Sequence, residues 1–322
     1  MILVTGGAGY IGSHFVKYLL NSGKEVVVFD NLSRGHREAV PDEVPFEKVD
    51  ILDREGIRKA LSKYDIDAVV HFAAFAYVGE SVENPGMYYE NNVVGSFNLI
   101  DEINRAGIKK FVFSSTCSLY GNPDKVPISE EESVKPINPY AETKLTIEKI
   151  LRDYDIAHEL KYAALRYFNA AGADPEGVIG ESHDPEPHLI PIILNTALGL
   201  RKKVFVFGDD YPTADGTAVR DYIHINDLAD AHLRALNFLE KGESDIFNLG
   251  TGDGNSVMEM IKTSEKVTGK KINFEITGRR AGDPAVLVAD NRKAKKILGW
   301  TPRFDLENII ETAWNWHKNK RF

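Results

Sequence analysis

The chain has a single cysteine and only four methionines and three tryptophans among its 322 residues. One thiol excludes an internal disulfide, so the core must hold the fold, and a reducing cytoplasm is the expected compartment. No stretch approaches the roughly 18 consecutive apolar residues of a membrane-spanning helix. The chain opens directly on the strand-like Met1-Ile2-Leu3-Val4, so no secretory leader is expected. Positive charge is in short supply too: 39 Lys and Arg against 48 Asp and Glu give a formal net charge of -9. Nucleic acids and membrane surfaces are themselves negative and need a basic face, so neither is an expected partner. The nine histidines form no HExxH-type pattern. His183 and His188 share an acidic loop at a spacing that suits neither a helix face nor a zinc knuckle, so no metal is expected.

What is present is 43% hydrophobic residues, enough for a large core, in a length that suggests two domains. Short β-branched runs at 2–5, 25–30, 46–49, 68–72, 110–114 and 163–168 alternate with helical patterns at 53–64, 84–106 and 139–154. Continuous apolar runs mark strands buried on both faces, and the alternation predicts a Rossmann-type, doubly wound parallel sheet in an α/β fold. The segment 172–187, rich in Gly, Pro, Asp and Glu, reads as a long loop. A helix at 190–199 and a strand at 204–207 follow, then a mixed remainder. The expected division is a Rossmann domain over 1–168, to which the chain returns at about 219–236, and a smaller α/β domain over 169–322. The active site is expected in the cleft between them, at the carboxyl ends of the parallel strands.

The first strand runs into Thr5-Gly6-Gly7-Ala8-Gly9-Tyr10-Ile11-Gly12. Glycines there let the backbone approach a pyrophosphate, and the following helix N-terminus supplies N–H groups and a positive dipole end. Asp30 ends the next strand, 18 residues after Gly12, where a carboxylate binds a ribose 2'-hydroxyl and repels a 2'-phosphate. The expected cofactor is therefore NAD. Asp50, after the third run, suits the adenine edge. Further on, Asn138-Pro139-Tyr140-Ala141-Glu142-Thr143-Lys144 opens a helix with Tyr140 and Lys144 on one face. A neighbouring ammonium favours phenolate, and so lowers a tyrosine pKa that otherwise lies near 10. That makes a tyrosine able to take a proton from a sugar hydroxyl.

Together these features resemble the extended short-chain dehydrogenase/reductase superfamily and, within it, the UDP-glucose (UDP-galactose) 4-epimerases. The resemblance also rests on Arg166-Tyr167-Phe168-Asn169, Asp210-Tyr211-Pro212-Thr213, Arg220-Asp221-Tyr222-Ile223-His224 and Arg279-Arg280-Ala281-Gly282-Asp283. It implies that Tyr140 is the base, that Lys144 holds the nicotinamide ribose and lowers the pKa of Tyr140, and that Thr116 hydrogen-bonds the sugar O4. It assigns Gly6, Gly9, Tyr10, Ile11, Gly12, Asp30, Asn31, Asp50, Ile51, Phe72, Ala73, Ala74, Asn91, Ser114 and Phe168 to NAD as well. A UDP-sugar requires a local cationic clamp in an acidic protein, and arginine matches phosphate geometry best. The resemblance places Arg220 and Arg280 there, Asp283 on the uridine ribose, and Asn169, His188 and Leu189 near the diphosphate-sugar. The resemblance also sets Phe205, Val206 and Phe207 beside uracil and implies Ser118 as a further substrate contact.

Leu287 aligns with a gate position at which a tyrosine excludes N-acetylated sugars. UDP-GlcNAc/UDP-GalNAc interconversion therefore stands as an alternative to UDP-glucose/UDP-galactose. UDP-xylose/UDP-arabinose interconversion is a second, because Ala76-Tyr77-Val78-Gly79-Glu80-Ser81 and Ser115-Thr116-Cys117 also resemble the UDP-arabinose/UDP-xylose 4-epimerases, and a non-catalytic NAD-binding regulator is the alternative of another class. Sugar 4,6-dehydratases carry Asp-Glu after the strand-end threonine, whereas this chain has Cys117-Ser118. Dehydration thus lacks its acid and base, and Cys117 reads as a packing residue. The resemblance also implies a homodimer built through the helices at 84–106 and 139–154.

Overall fold

The computed structural model describes residues 1–280 and 282–322; Ala281, within the Arg-Arg-x-Gly-Asp stretch, lies outside the described residues. Six strands, β1 (Ile2–Thr5), β2 (Val26–Asp30), β3 (Phe46–Lys48), β4 (Ala68–His71), β5 (Lys110–Ser114) and β6 (Lys161–Tyr167), join Asp245–Leu249 in one seven-stranded sheet. From one edge the order is Asp245–Leu249, β6, β5, β4, β1, β2, β3, and β1 to β6 pair in parallel. Strands β2 and β4 are buried at every position, as expected where helices cover both faces. Leu3, Val27, Val69, Phe111 and Phe113 form the core with Ile57, Leu99, Ile103, Ile147 and Leu151 from the helices.

The strand order reverses between β1 and β4, and that is where such sheets bind ligands. Gly6, with φ of 70°, turns the chain out of β1 there. A Cβ on it would stand 2.5 Å from Ala73 N, in the segment that follows β4. Only glycine permits this approach.

The predicted helix over 84–106 is in fact three pieces: Pro85–Tyr88, a π-helical turn at Tyr89–Gly95, and an α-helix at Ser96–Arg105. Apolar spacing cannot distinguish a π turn from an α turn. Side-chain bonding gives the reason for it: Asn92 donates to the Phe75 carbonyl at 3.0 Å and to Thr143 Oγ1 at 3.1 Å, and accepts from Phe75 N. Wide turns of this kind recur at functional sites. The helix expected over 139–154 runs Pro139–His158, with Asn138 capping the N–H of Ala141 at 2.9 Å.

Two compact units divide the chain. The first comprises Met1–Gly121, Val134–Arg166 and Ala229–Phe247; the second comprises Asn122–Ser133, Tyr167–Leu228 and Asn248–Phe322. The return to the first unit thus falls at Ala229–Phe247 in the structure, against about 219–236 read from the sequence. In the second unit short strands make small sheets: Val204–Phe207 with Phe274–Thr277, and Val219–Arg220 with Asn255–Ser256 and Val286–Leu287. Ile193, Leu194, Val204, Val206, Met260, Ile309 and Ile310 form its core. No helix among the described residues is long and apolar enough to cross a membrane.

Candidate active site

A cavity in the first unit opens at the switch point of the sheet, lined by Gly6, Gly9, Asp30, Asn31, Ile51 and Asn91, with the backbone of Phe72 to Ala74 behind. Gly9 is the N-cap of helix Tyr10–Asn21 and brings no side chain to the N–H groups of the first turn. That end of the helix therefore suits a phosphate. Asp30 is buried and accepts from Ala8 N at 3.0 Å and Leu32 N at 2.8 Å. Burial pushes its carboxyl up while the two N–H donors pull it back. A carboxylate oxygen has acceptor sites left after one such bond, so Asp30 is aimed and still able to receive a ribose hydroxyl. Asn31 donates to Asp50 Oδ2 at 2.9 Å, linking the ends of β2 and β3. Glycine turn, helix end, carboxylate and apolar Ile51 all fit a dinucleotide.

Thr116, Tyr140 and Lys144 are all buried in the first unit. Thr116 follows β5 and caps the short helix Cys117–Tyr120, its Oγ1 accepting from Ser118 N at 3.1 Å. Lys144 Nζ donates to the Ser114 carbonyl at 2.8 Å and lies 5.0 Å from the Phe113 ring centre and 6.0 Å from that of Tyr140. Burial pushes the ammonium down to about 7, against the pull of Glu148. His71 bridges Thr5 Oγ1 at 2.6 Å and Ser96 Oγ at 2.8 Å. Burial, with Lys144 nearby, brings it down to about 3, so it is a neutral hydrogen-bonding group.

The second unit gathers most of the predicted substrate residues. Arg220 pairs with Asp283 and donates to the Val219 carbonyl at 2.7 Å, and Leu287 lies in register beside it. Arg280 stacks 4.0 Å from the Phe207 ring centre. Along Val204–Phe207 the side chains alternate: Phe205 is exposed, while Val206 points into the core and has only its backbone to offer a ligand. Asn169 donates to the Asp221 carbonyl at 3.2 Å, and Phe168 N donates to the Leu249 carbonyl at 3.1 Å. His188 occupies the N-cap position of helix Leu189–Ala197 without a side-chain capping bond and faces Glu181 and Glu186.

Residues 2–250 match the NAD dependent epimerase/dehydratase family. The chain belongs to that family. A UDP-glucose 4-epimerase of Halalkalibacterium halodurans is 54% identical over 319 residues, 98% of this chain and 95% of the relative. The crystal structure of a UDP-glucose 4-epimerase from Brucella ovis in complex with NAD matches with a TM-score of 0.95 and 48% identity, covering 97% of each chain. Another, from Stenotrophomonas maltophila with bound NAD and formylated UDP-arabinopyranose, matches with 0.96 and 43%, covering 98% of this chain and 97% of the other.

Beyond the family's cofactor motif, the structure draws in residues that sequence patterns passed over. Glu148, one turn beyond Lys144, forms a buried ion pair with Arg166 at 2.6 Å and accepts from Ser115 Oγ at 2.6 Å. Arg166 also donates to the Tyr120 hydroxyl at 2.9 Å. This network fixes the turn on either side of Thr116. In the second unit the hydroxyl of buried Tyr211 has no hydrogen-bond partner among the described residues. Glu181, His183, Glu186 and His188 converge, their ligand atoms all within 4.8 Å. The His188 Nδ1 separations of 2.7 Å from Glu181 and 2.9 Å from Glu186 are those of charge-assisted hydrogen bonds. His183 Nδ1 stands 3.3 Å from Glu181 and 3.5 Å from Glu186. The two carboxylates favour the charged form of both imidazoles.

Proposed function

We propose that this protein is an NAD-dependent UDP-hexose 4-epimerase, interconverting UDP-glucose and UDP-galactose. The reading is carried by Thr116, Tyr140 and Lys144 gathered beyond β5 without the acidic pair that dehydration needs. Bound NAD supplies an acceptor for the C4 hydride and a donor for its return. Tyr140 takes the proton of the sugar C4 hydroxyl and later gives one back. Lys144, held by the Ser114 carbonyl, favours the phenolate, and Thr116 hydrogen-bonds O4. Cys117 and Ser118 stand where dehydration needs an Asp-Glu pair, so the site would not eliminate water from the 4-ketose, and return of the hydride to its other face would be the course left.

In this reading the first unit binds NAD, and Arg220, Arg280 and Asp283 of the second bind the UDP moiety. The protein works in galactose metabolism in the cytoplasm as a homodimer. Exposed Tyr89, Val94, Phe97 and Ile156, on the two helices that would meet, support the dimer. Leu287, half-buried beside Arg220, supports turnover of N-acetylated sugars as a second activity.

The test is to incubate purified protein and NAD with UDP-galactose, UDP-GalNAc and UDP-arabinopyranose and to follow C4 configuration by NMR. Inversion of UDP-galactose is expected; inversion of none would overturn the reading. Tyr140→Phe should slow turnover by about 10²–10⁴-fold, the usual worth of a general base, with UDP binding retained.

A further inference from the structure

Two segments wall the cofactor cavity of the first unit: the end of β2 and the loop after it, carrying Asp30, Asn31 and Ser33, and the segment after β4, carrying Ala73 to Phe75. Arg34 joins them. Its Nη2 donates to Glu80 Oε1 at 2.7 Å, and its guanidinium stands 5.1 Å from the Phe75 ring centre and 5.2 Å from that of Tyr77. Glu80 belongs to the short helix Val78–Glu83 and accepts from the Tyr88 hydroxyl at 2.8 Å. That hydroxyl also accepts from Tyr77 N at 2.9 Å. The second wall is therefore anchored from behind, and Arg34 ties the first wall to it.

The pair is an unconvincing stability device. Its side chains are 35% and 26% exposed, and ion pairs that water can reach contribute little to folding. Its position explains it better. Each wall is an irregular segment leaving the end of a strand, and a bridge between two such segments limits how far the cavity can open.

We propose that Arg34 and Glu80 are a positioning pair that holds the cavity walls together around a bound dinucleotide and slows its release. This rests on the NAD reading above. A reaction in which the cofactor ends as it began gains nothing from releasing it, so a strap that lengthens its stay costs no turnover.

The experiment loads the full-length protein with NADH and measures the loss of bound-NADH fluorescence on chasing with excess NAD. Arg34→Ala and Glu80→Gln should each release NADH about 5–10-fold faster, and the double variant no faster than either. Arg34→Lys, which keeps the charge and a cation over the rings, should recover most of the difference. Cofactor-free thermal unfolding should be unchanged in all of them. Unchanged release in Glu80→Gln with faster release in Arg34→Ala would mean that Arg34 acts on the cofactor directly, and the strap would fall. Equal rates in every variant would also sink it. A wild-type protein that binds no NADH would instead refute the cofactor reading itself.

Discussion

Each unit holds a buried carboxylate with cations, and each uses a different kind. In the first, Glu148 and Arg166 meet with side chains 4% and 5% exposed. Burial works against the guanidinium's charge, yet Glu148 raises Arg166 above its ordinary range. In the second, Glu181 faces His188 at 2.7 Å and His183 at 3.3 Å. Burial again opposes charge, but Glu181 and Glu186 raise both imidazoles, His188 to about 10. Arginine is charged at every working pH, whereas an imidazole carries charge only while its partners hold the proton. The permanent pair stands behind the turn that presents Thr116 and one helical turn from Lys144. The titratable one sits in a loop that leads into the helix Leu189–Ala197.

The comparison breaks most visibly at Glu148. Glu148→Ala leaves Arg166 buried without its counter-charge, and removing one partner of such a pair costs about 3–5 kcal/mol. Urea unfolding should register that loss, while Glu148→Leu combined with Arg166→Met should regain much of it. A single-variant loss below about 1 kcal/mol would show that water reaches the pair in solution.

A pH series separates the two kinds of cation. His183 and His188 have folded values raised above 6.5, so their contribution is complete below that value and fades as pH rises toward about 10. Glu181 is depressed despite its burial, so its contribution is present above 4.5 and lost in acid below it. The loop should therefore be firmest between these two ordinary values. The difference in urea midpoint between wild type and His188→Gln should be larger at pH 6 than at pH 10. It should also be modest, because the His188 side chain is 46% exposed and water screens it. A difference independent of pH would mean that charge is not what orders the loop. Arg166 keeps its charge across the same range, so any pH dependence of the Glu148→Ala penalty would come through Lys144, whose ammonium Glu148 favours.

These two clusters also differ in how far the sequence could reveal them. Strands β1 and β5 carry the bounds read from their apolar runs, and the glycine turn, Asp30 and Tyr140–Lys144 lie where local pattern puts them. Glu148 looked like one more acid on a helix, because its partner Arg166 arrives from β6, 18 residues away. Nothing local announces that meeting. The four side chains that converge in the 181–188 loop were visible as residue types, but irregular backbone has no period from which convergence can be read. Arg220 and Asp283 are 63 residues apart and were joined only through family resemblance. Strands of two residues, such as Val219–Arg220 and Val286–Leu287, are too short for alternation to show, so the second unit stayed a mixed remainder. The π turn escaped because it shares its apolar spacing with an ordinary helix.

Two buried tyrosine hydroxyls set the smallest test. Tyr120 accepts from Arg166 at 2.9 Å; Tyr211 has no hydrogen-bond partner among the described residues. A bond to a charged donor contributes about 1.5–3 kcal/mol, and losing it strands a guanidinium N–H in the core. Tyr120→Phe should therefore destabilise by roughly that amount. An unmatched buried hydroxyl is itself a cost, so replacing it by hydrogen should leave stability unchanged or raise it by up to about 1 kcal/mol. Urea unfolding of the ligand-free variants decides between these outcomes. If Tyr211→Phe loses as much as Tyr120→Phe, the Tyr211 hydroxyl finds a partner in solution, and the contrast between a satisfied first-unit network and an unsatisfied second-unit group fails at that residue.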